Sequence, residues 1–140
     1  MKITICGSIS NASKIYAIEK ELASYGHEVF SHELMHQYAT GDQNIIKKVS
    51  TDHSSLKRDN DTFKWYYNAI KASDAILVCN FEKNNIKNYI GGSVLMEIGY
   101  AHVLDKKIFF LNPIPDVSFK DELIAASPAI LNGDLNKIQK

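Results

Sequence analysis

Glu97 is the residue in this chain best placed to do chemistry. It belongs to the stretch Tyr89 to His102, in which Gly91-Gly92-Ser93 reads as a turn into a helix. Ser93 is a fit N-cap, because its hydroxyl can accept from a free backbone N–H of the first turn. Val94, Leu95, Ile98 and Ala101 then share one helical face, directed at a sheet. Glu97 stands one turn in, beside the positive end of the helix, and is expected to be ionised at neutral pH. Such a carboxylate can attack an anomeric carbon and form a covalent glycosyl intermediate. It can equally bind a ribose hydroxyl without reacting. Free N–H groups and a close-approach glycine pair, Gly91 and Gly92, complete a site for a small anion-bearing molecule.

Three other groupings carry possible chemistry. Cys6-Gly7-Ser8-Ile9-Ser10 ends a strand and precedes a helix, so it offers N–H groups and two hydroxyls to an anion. It lacks the spacing of a dinucleotide fingerprint and the Lys of a P-loop. His32-Glu33-Leu34-Met35-His36 is a literal H-E-x-x-H. A zinc site needs that pentad inside a helix, both imidazoles on one face, a third ligand and an open position. Here it follows directly on a strand, and nothing selects Asp52 or His53 as a third ligand. Lining of a pocket by His32 or Glu33 is the stronger reading, and no metal and no cofactor is expected. Phe63, Trp65, Tyr66 and Tyr67 fall within five helical positions and cannot all face the core. Some line a pocket, where they could stack on a base, or a subunit interface.

The elements that hold these residues read as an alternation. Lys2–Cys6 is a β-branched strand, Asn11–Tyr25 a helix with Ile15, Ile18 and Leu22 on one face, and Gly26 its stop. His27–Ser31 is a strand, Asp61–Ser73 a helix, Asp74–Asn80 a strand, Gly92–Leu104 a helix and Lys106–Asn112 a strand ended by Pro113 and Pro115. A short helix over Phe119–Ala125, a strand over Ala129–Leu131 and a helical turn over Asp134–Gln139 close the chain. Alternating strands and helices predict a parallel sheet covered on both faces, and the runs Ala75–Cys79 and Ile108–Leu111 fit doubly buried strands. Ligands collect at the carboxyl ends of such strands. Gly7, Ser8, Asn80 and Asn112 would stand there. The polar stretch Glu33–Lys64 reads as a mobile flap or a partly helical excursion over the site, or as a solvated insertion. Glu82–Tyr89 reads as a polar loop.

Composition bounds the rest. The chain of 140 residues suits one domain, residues 1–140, around one core, with 45% hydrophobic residues and 16 basic against 16 acidic side chains. That balance gives no support for nucleic-acid or anionic-membrane binding. Any phosphate would have to be held by backbone amides and hydroxyls. Cys6 and Cys79 each lie in a strand-like run and read as buried free thiols of a reducing compartment. Met1 leads straight into a strand without a signal peptide, and no run reaches the ~18 apolar residues of a membrane span. Cytoplasm is the expectation.

These segments resemble the nucleoside 2-deoxyribosyltransferase family, most closely its branch that hydrolyses deoxynucleoside 5′-monophosphates. Cys6-Gly7-Ser8-Ile9 is similar to that branch's phosphate-binding Cys-Gly-Ser-Ile. Met96-Glu97-Ile98-Gly99-Tyr100-Ala101 is similar to the family's (Met/Tyr)-Glu-Leu-Gly-(Tyr/Arg)-Ala, whose Glu is the nucleophile. Ile70–Asp74 before an apolar strand and Lys106-Lys107-Ile108 after the second helix also fit, so the likeness runs from about residue 3 to 112. It implies a five-stranded parallel sheet of flavodoxin-like, Rossmann-like topology in three layers, and a homodimer or higher homo-oligomer. It further implies attack of Glu97 on C1′ of a nucleotide, and a phosphate held by Gly7, Ser8, Ile9, Ser10 and Ser93. The family carries an Asp near the base, eight residues before the position of Asp74. This chain has Tyr66 there, so Tyr66 becomes the catalytic partner that the resemblance offers. Asp59, Asp61, His32 and Glu33 stay open as donors to a leaving base.

Overall fold

The structure is a computed structural model, and it describes residues 1–139. Five strands form one all-parallel sheet: β1 (Lys2–Cys6), β2 (Glu28–Phe30), β3 (Ala75–Val78), β4 (Lys107–Phe110) and β5 (Ala129–Ile130), in the order β2-β1-β3-β4-β5. With helices on both faces, this is a Rossmann-like, flavodoxin-like α/β architecture. Because both faces are covered, side chains of both parities are apolar. Ile3, Ile5 and Leu77 pack with Ile15, Ile18 and Leu22 of α1 (Ala12–Ser24). Cys6, Ile76, Val78 and Phe110 pack on the other face. Their partners are Tyr66 and Ile70 of α5 (Thr62–Ala72) and Val94, Ile98 and Ala101 of α6 (Gly92–Val103), with Leu123 of α7 (Lys120–Ala125). The chain runs outward from β1 to β2 and returns to β3 on β1's other side. The strand order reverses there, and a crevice opens at the carboxyl ends of β1 and β3.

The expected elements stand within a residue or two of their places. The stretch Glu33–Lys64 departs most from expectation, for it is helical nearly throughout. It comprises α2 (Glu33–Ala39), α3 (Gln43–Thr51), α4 (His53–Asp59) and the first turn of α5. Carboxylates start two of these helices: Asp42 accepts from the N–H groups of Asn44 and Ile45, and Asp52 from that of Ser55. Over α3 and α4 together, Leu56 alone is buried. The loop after β3 is also ordered. Lys83 and Ile86 pair across Asn84 and Asn85, whose φ values of 52° and 61° belong to a tight hairpin turn. Among the described residues no helix is long and apolar enough to cross a membrane.

Candidate active site

The carboxyl end of β1, the hairpin loop after β3, the first turn of α6, and α2, α4 and α5 enclose a cavity of about 210 Å³. Gly7 forms part of its floor. A Cβ there would lie 2.8 Å from Ile15 Cδ1 and 3.3 Å from the Cys79 carbonyl oxygen, so the turn after β1 admits glycine alone without repacking. The N-cap of α6 is Gly91, not Ser93, which is the second helical residue. As a glycine, Gly91 supplies no capping side chain, and the free N–H groups of the first turn stay available beside the cavity.

Glu97 lies in the cavity wall with its side chain 6% exposed. Burial pushes its pKa up to about 8, against the opposing effects of a hydrogen bond from the Cys6 thiol and the charge of Lys57. The carboxyl is therefore mainly neutral at pH 7, contrary to the expectation drawn from its place near a helix N-terminus. The magnitudes explain the reversal. A helix terminus favours a carboxylate by about 0.3–1 kcal/mol, whereas withdrawing it from water costs several. Oε2 of Glu97 is buried without a hydrogen-bond partner, the one such side-chain atom among the described residues. Tyr66 is also buried. Desolvation and the nearby charge of Glu97 lift its pKa well above the ordinary phenol value, while the His32 main-chain N–H donates to the phenol oxygen. Tyr66 thus keeps its proton and is not an acid that gives it up.

At one end of the cavity the groups are cationic. Lys57 Nζ, brought in by α4, donates to Ser93 Oγ. Lys83 Nζ, brought in by the hairpin turn, donates to Ser8 Oγ at 2.9 Å. His53 joins them, and burial and then the charges of Lys57 and Lys83 hold its pKa below the usual imidazole value. Burial, foremost, lowers the pKa of Lys57 as well. Two cations already bonded to two serine hydroxyls make a strong anion site. The sequence reading, which left phosphate to amides and hydroxyls, missed both lysines. They lie 36 and 75 residues from the serines they meet, and no local pattern marks them.

The rest of the lining includes apolar and aromatic side chains, Leu34, Met35, Leu56 and Phe63. His32 also lines it, its ring edge-on to Trp65 with centroids 4.8 Å apart and stacked on Tyr66 at 6.1 Å. It is the N-cap of α2, its Nδ1 accepting from the Leu34 N–H at 3.0 Å. The partner histidine of the pentad is elsewhere engaged: His36 Nε2 meets Glu19 Oε2 at 2.8 Å and Ser31 Oγ at 2.9 Å. Among the described residues no cluster of three or more His, Cys, Asp or Glu could hold a metal ion.

The cavity thus gathers Gly7, Ser8, Ile9, His32, Tyr66, Gly91, Gly92, Ser93 and Glu97. Ser10 stays outside it, its hydroxyl 2.9 Å from that of Ser8. Asn80 is not in the lining. Its Oδ1 accepts from the Asn112 N–H at 2.9 Å, and its Nδ2 donates to the carbonyls of Asn112 and Pro113, both at 3.0 Å. With every polar atom of its side chain turned towards β4, Asn80 has none for a substrate. Of the aromatic cluster, Phe63 lines the cavity and Tyr66 its wall. Tyr67 faces outward against Tyr100 at 5.6 Å.

The fold is similar to that of a Clostridium botulinum CMP N-glycosidase, BcmB, with a TM-score of 0.51 and 18% identity over 94% of this chain and 90% of that one. At such identity the likeness establishes the fold alone. No family model matches the chain, and no curated protein matches it by sequence.

Proposed function

We propose that this chain cleaves the N-glycosidic bond of a nucleoside 5′-monophosphate, with Glu97 as nucleophile. The carrying observation is one buried carboxyl in the wall of a cavity whose cationic end pairs Lys57 with Ser93 and Lys83 with Ser8. A nucleotide has the matching polarity: a dianion at one end, an electrophilic anomeric carbon in the middle, a flat base at the other. The two lysines, the two serines and the first turn of α6 bind the phosphate. An oxygen of Glu97 bonds to C1′ as the C1′–N bond breaks, its electron pair leaving with the base. Water then attacks C1′, the ester bond to Glu97 breaks, and the proton lost by that water ends on the released base. The products are free base and a pentose 5-phosphate. The CMP N-glycosidase activity of the similar structure supports this reading and makes CMP the first nucleotide to try.

Attack requires the carboxylate. With a pKa of about 8, about one site in ten is ionised at pH 7. The cationic character that develops at C1′ favours that form in the transition state. The neutral carboxyl also fits a second reading, nucleotide binding without turnover, in which Glu97 only hydrogen-bonds sugar hydroxyls. Proton NMR of the protein with a panel of nucleoside monophosphates separates the two. Loss of anomeric signals, abolished in Glu97→Ala, is expected. Thermal stabilisation by a nucleotide with no signal loss over a day would establish binding alone.

The chain is further read as a homo-oligomer. Phe63, Tyr67, Met96 and Val103 leave apolar surface on the adjoining helices α5 and α6. Light scattering should give at least a dimer, and a monomer at all concentrations would remove this part of the proposal.

A further inference from the structure

We infer that His53 is a third ligand of the substrate phosphate: with Lys57 and Lys83 it cradles the dianion as an imidazolium, so that binding draws a proton from solvent. The role rests on the nucleotide reading above and adds the regulation of its phosphate end.

Placement comes first. His53 and Lys57 stand four residues apart on α4, so they share one helical face, and both line the cavity. Lys83 reaches the same end from the hairpin loop after β3. Each lysine is tied to a serine hydroxyl, Lys57 to that of Ser93 and Lys83 to that of Ser8. His53 is half-buried and, among the described residues, nothing hydrogen-bonds either of its ring nitrogens.

The surroundings supply positive charge and no carboxylate. Lys57 of α4 and Lys83 of the hairpin loop are the charges that act on the ring. Glu97 of α6, the one carboxyl in the lining, is mainly neutral at pH 7. At the start of α4, Asp52 is taken by Ser54 and Ser55, and Arg58 donates to Ser55 Oγ. Beside α5, Asp61 pairs with Lys64 at 3.5 Å. Asp59 of α4 and Lys47 and Lys48 of α3 are exposed and outside the lining. The free protein therefore keeps His53 as neutral imidazole at pH 7, its proton disfavoured by burial and by two cationic neighbours.

A phosphate monoester reverses that balance. It is a dianion above about pH 6, and its charge offsets that of the two lysines. The proton is then attracted where it was repelled, and the imidazolium offers an N–H to a phosphate oxygen. The third cation has a second effect. A dianion at the serine end opposes ionisation of Glu97, whose proton Lys57 loosens. The imidazolium restores a positive charge on that side of the nucleophile. An unphosphorylated nucleoside brings no dianion and leaves His53 neutral, so the device favours monoesters.

Glu97→Gln provides the background for the test, because it binds CMP without turnover and removes the proton that Glu97 itself exchanges near pH 8. Calorimetry at pH 7.5 in buffers of different ionisation heat counts the protons. CMP should bring in more than about half a proton per site, and cytidine none. His53→Gln in the same background keeps a neutral polar side chain that takes up no proton. It should abolish the uptake and weaken CMP binding by about 10- to 100-fold. The His53 contribution is present at low pH and lost as pH rises past the point where the complex gives the proton up. Affinity for CMP should therefore fall between about pH 7 and 8.5, and stay nearly level once His53 is glutamine. A site-specific reading comes from 15N-histidine NMR: the His53 ring nitrogens should move to imidazolium positions with CMP and not with cytidine. CMP binding without proton uptake, uptake that survives His53→Gln, or a neutral His53 in the complex would overturn this role and leave the cleavage reading intact. Uptake at His53 in a protein whose wild type releases no cytosine would uphold the role and refute cleavage. Failure of CMP to bind would overturn both.

Discussion

Replacing Glu97 by Gln should stabilise the protein, and the gain should grow with pH. The folded chain holds the Glu97 proton with a pKa of about 8, because burial penalises the charge. In the unfolded chain the carboxyl returns to the ordinary value near 4.5. Between those values the folded state carries one proton more than the unfolded. Stability from this group is therefore complete below about pH 4.5 and is lost as pH rises to about 8, by about 1.4 kcal/mol per pH unit. The full loss is roughly 4–5 kcal/mol, a large part of the 5–15 kcal/mol that holds a domain together. Glutamine has nearly the same shape and does not titrate. Urea unfolding of both proteins from pH 5 to 8.5 isolates the effect, since titrating groups not coupled to Glu97 cancel in the difference. The stability of Glu97→Gln minus that of the wild type should rise by several kcal/mol across the range and level off above about pH 8. Parallel curves would show that Glu97 is ionised in the native protein, and the account of its burial would fall.

The same group sets the pH dependence of turnover: kcat/KM should rise about tenfold per pH unit up to about 8 and then level. In Lys57→Met the limb should move to higher pH, because a charge that lowers the Glu97 pKa is gone; an unmoved limb in initial-rate profiles would refute that coupling. Lys83→Ala should weaken nucleotide binding by about 10- to 100-fold, as for the loss of a charge-assisted hydrogen bond, and leave binding of the unphosphorylated nucleoside unchanged by calorimetry. Gly7→Ala should cost about 1–3 kcal/mol in urea unfolding through its clash with Ile15. Asn80→Ala should cost about 1–3 kcal/mol by stranding the Asn112 N–H, with KM for a nucleotide unchanged.

Periodicity made the sheet and the long helices legible. Ile15, Ile18 and Leu22 announce a covered helix, and Ala75 to Val78 a doubly buried strand, because each pattern is local and each is buried as expected. Glu97 and the Gly7-Ser8 turn were legible as neighbours because strand ends and helix starts converge in this topology. What failed was non-local. The starts of α3 and α4 rest on Asp42 and Asp52 in a polar stretch with little buried apolar pattern to mark it. The meeting of Lys57 with Ser93 and of Lys83 with Ser8 exists only in three dimensions. The ionisation of Glu97 was misjudged because its sequence position reveals the helix end but not the depth of water exclusion. Asn80 stands at the strand end as expected, but its side chain turns sideways along the sheet.

That sideways turn shapes how the molecule can move. Asn80 and Asn112 exchange hydrogen bonds in both directions, Asn112 Nδ2 reaching the Asn80 carbonyl at 3.2 Å. They clasp the ends of two parallel strands that would otherwise splay. One wall of the cavity is α4, of which Leu56 alone is buried and whose Lys57 is bonded to Ser93 of α6. The strand ends are thus cross-tied by two side chains, while α4 buries little of itself. A guest threading past α4 would carry Lys57 with it, and the proton on Glu97, which that charge loosens, would answer to the same movement.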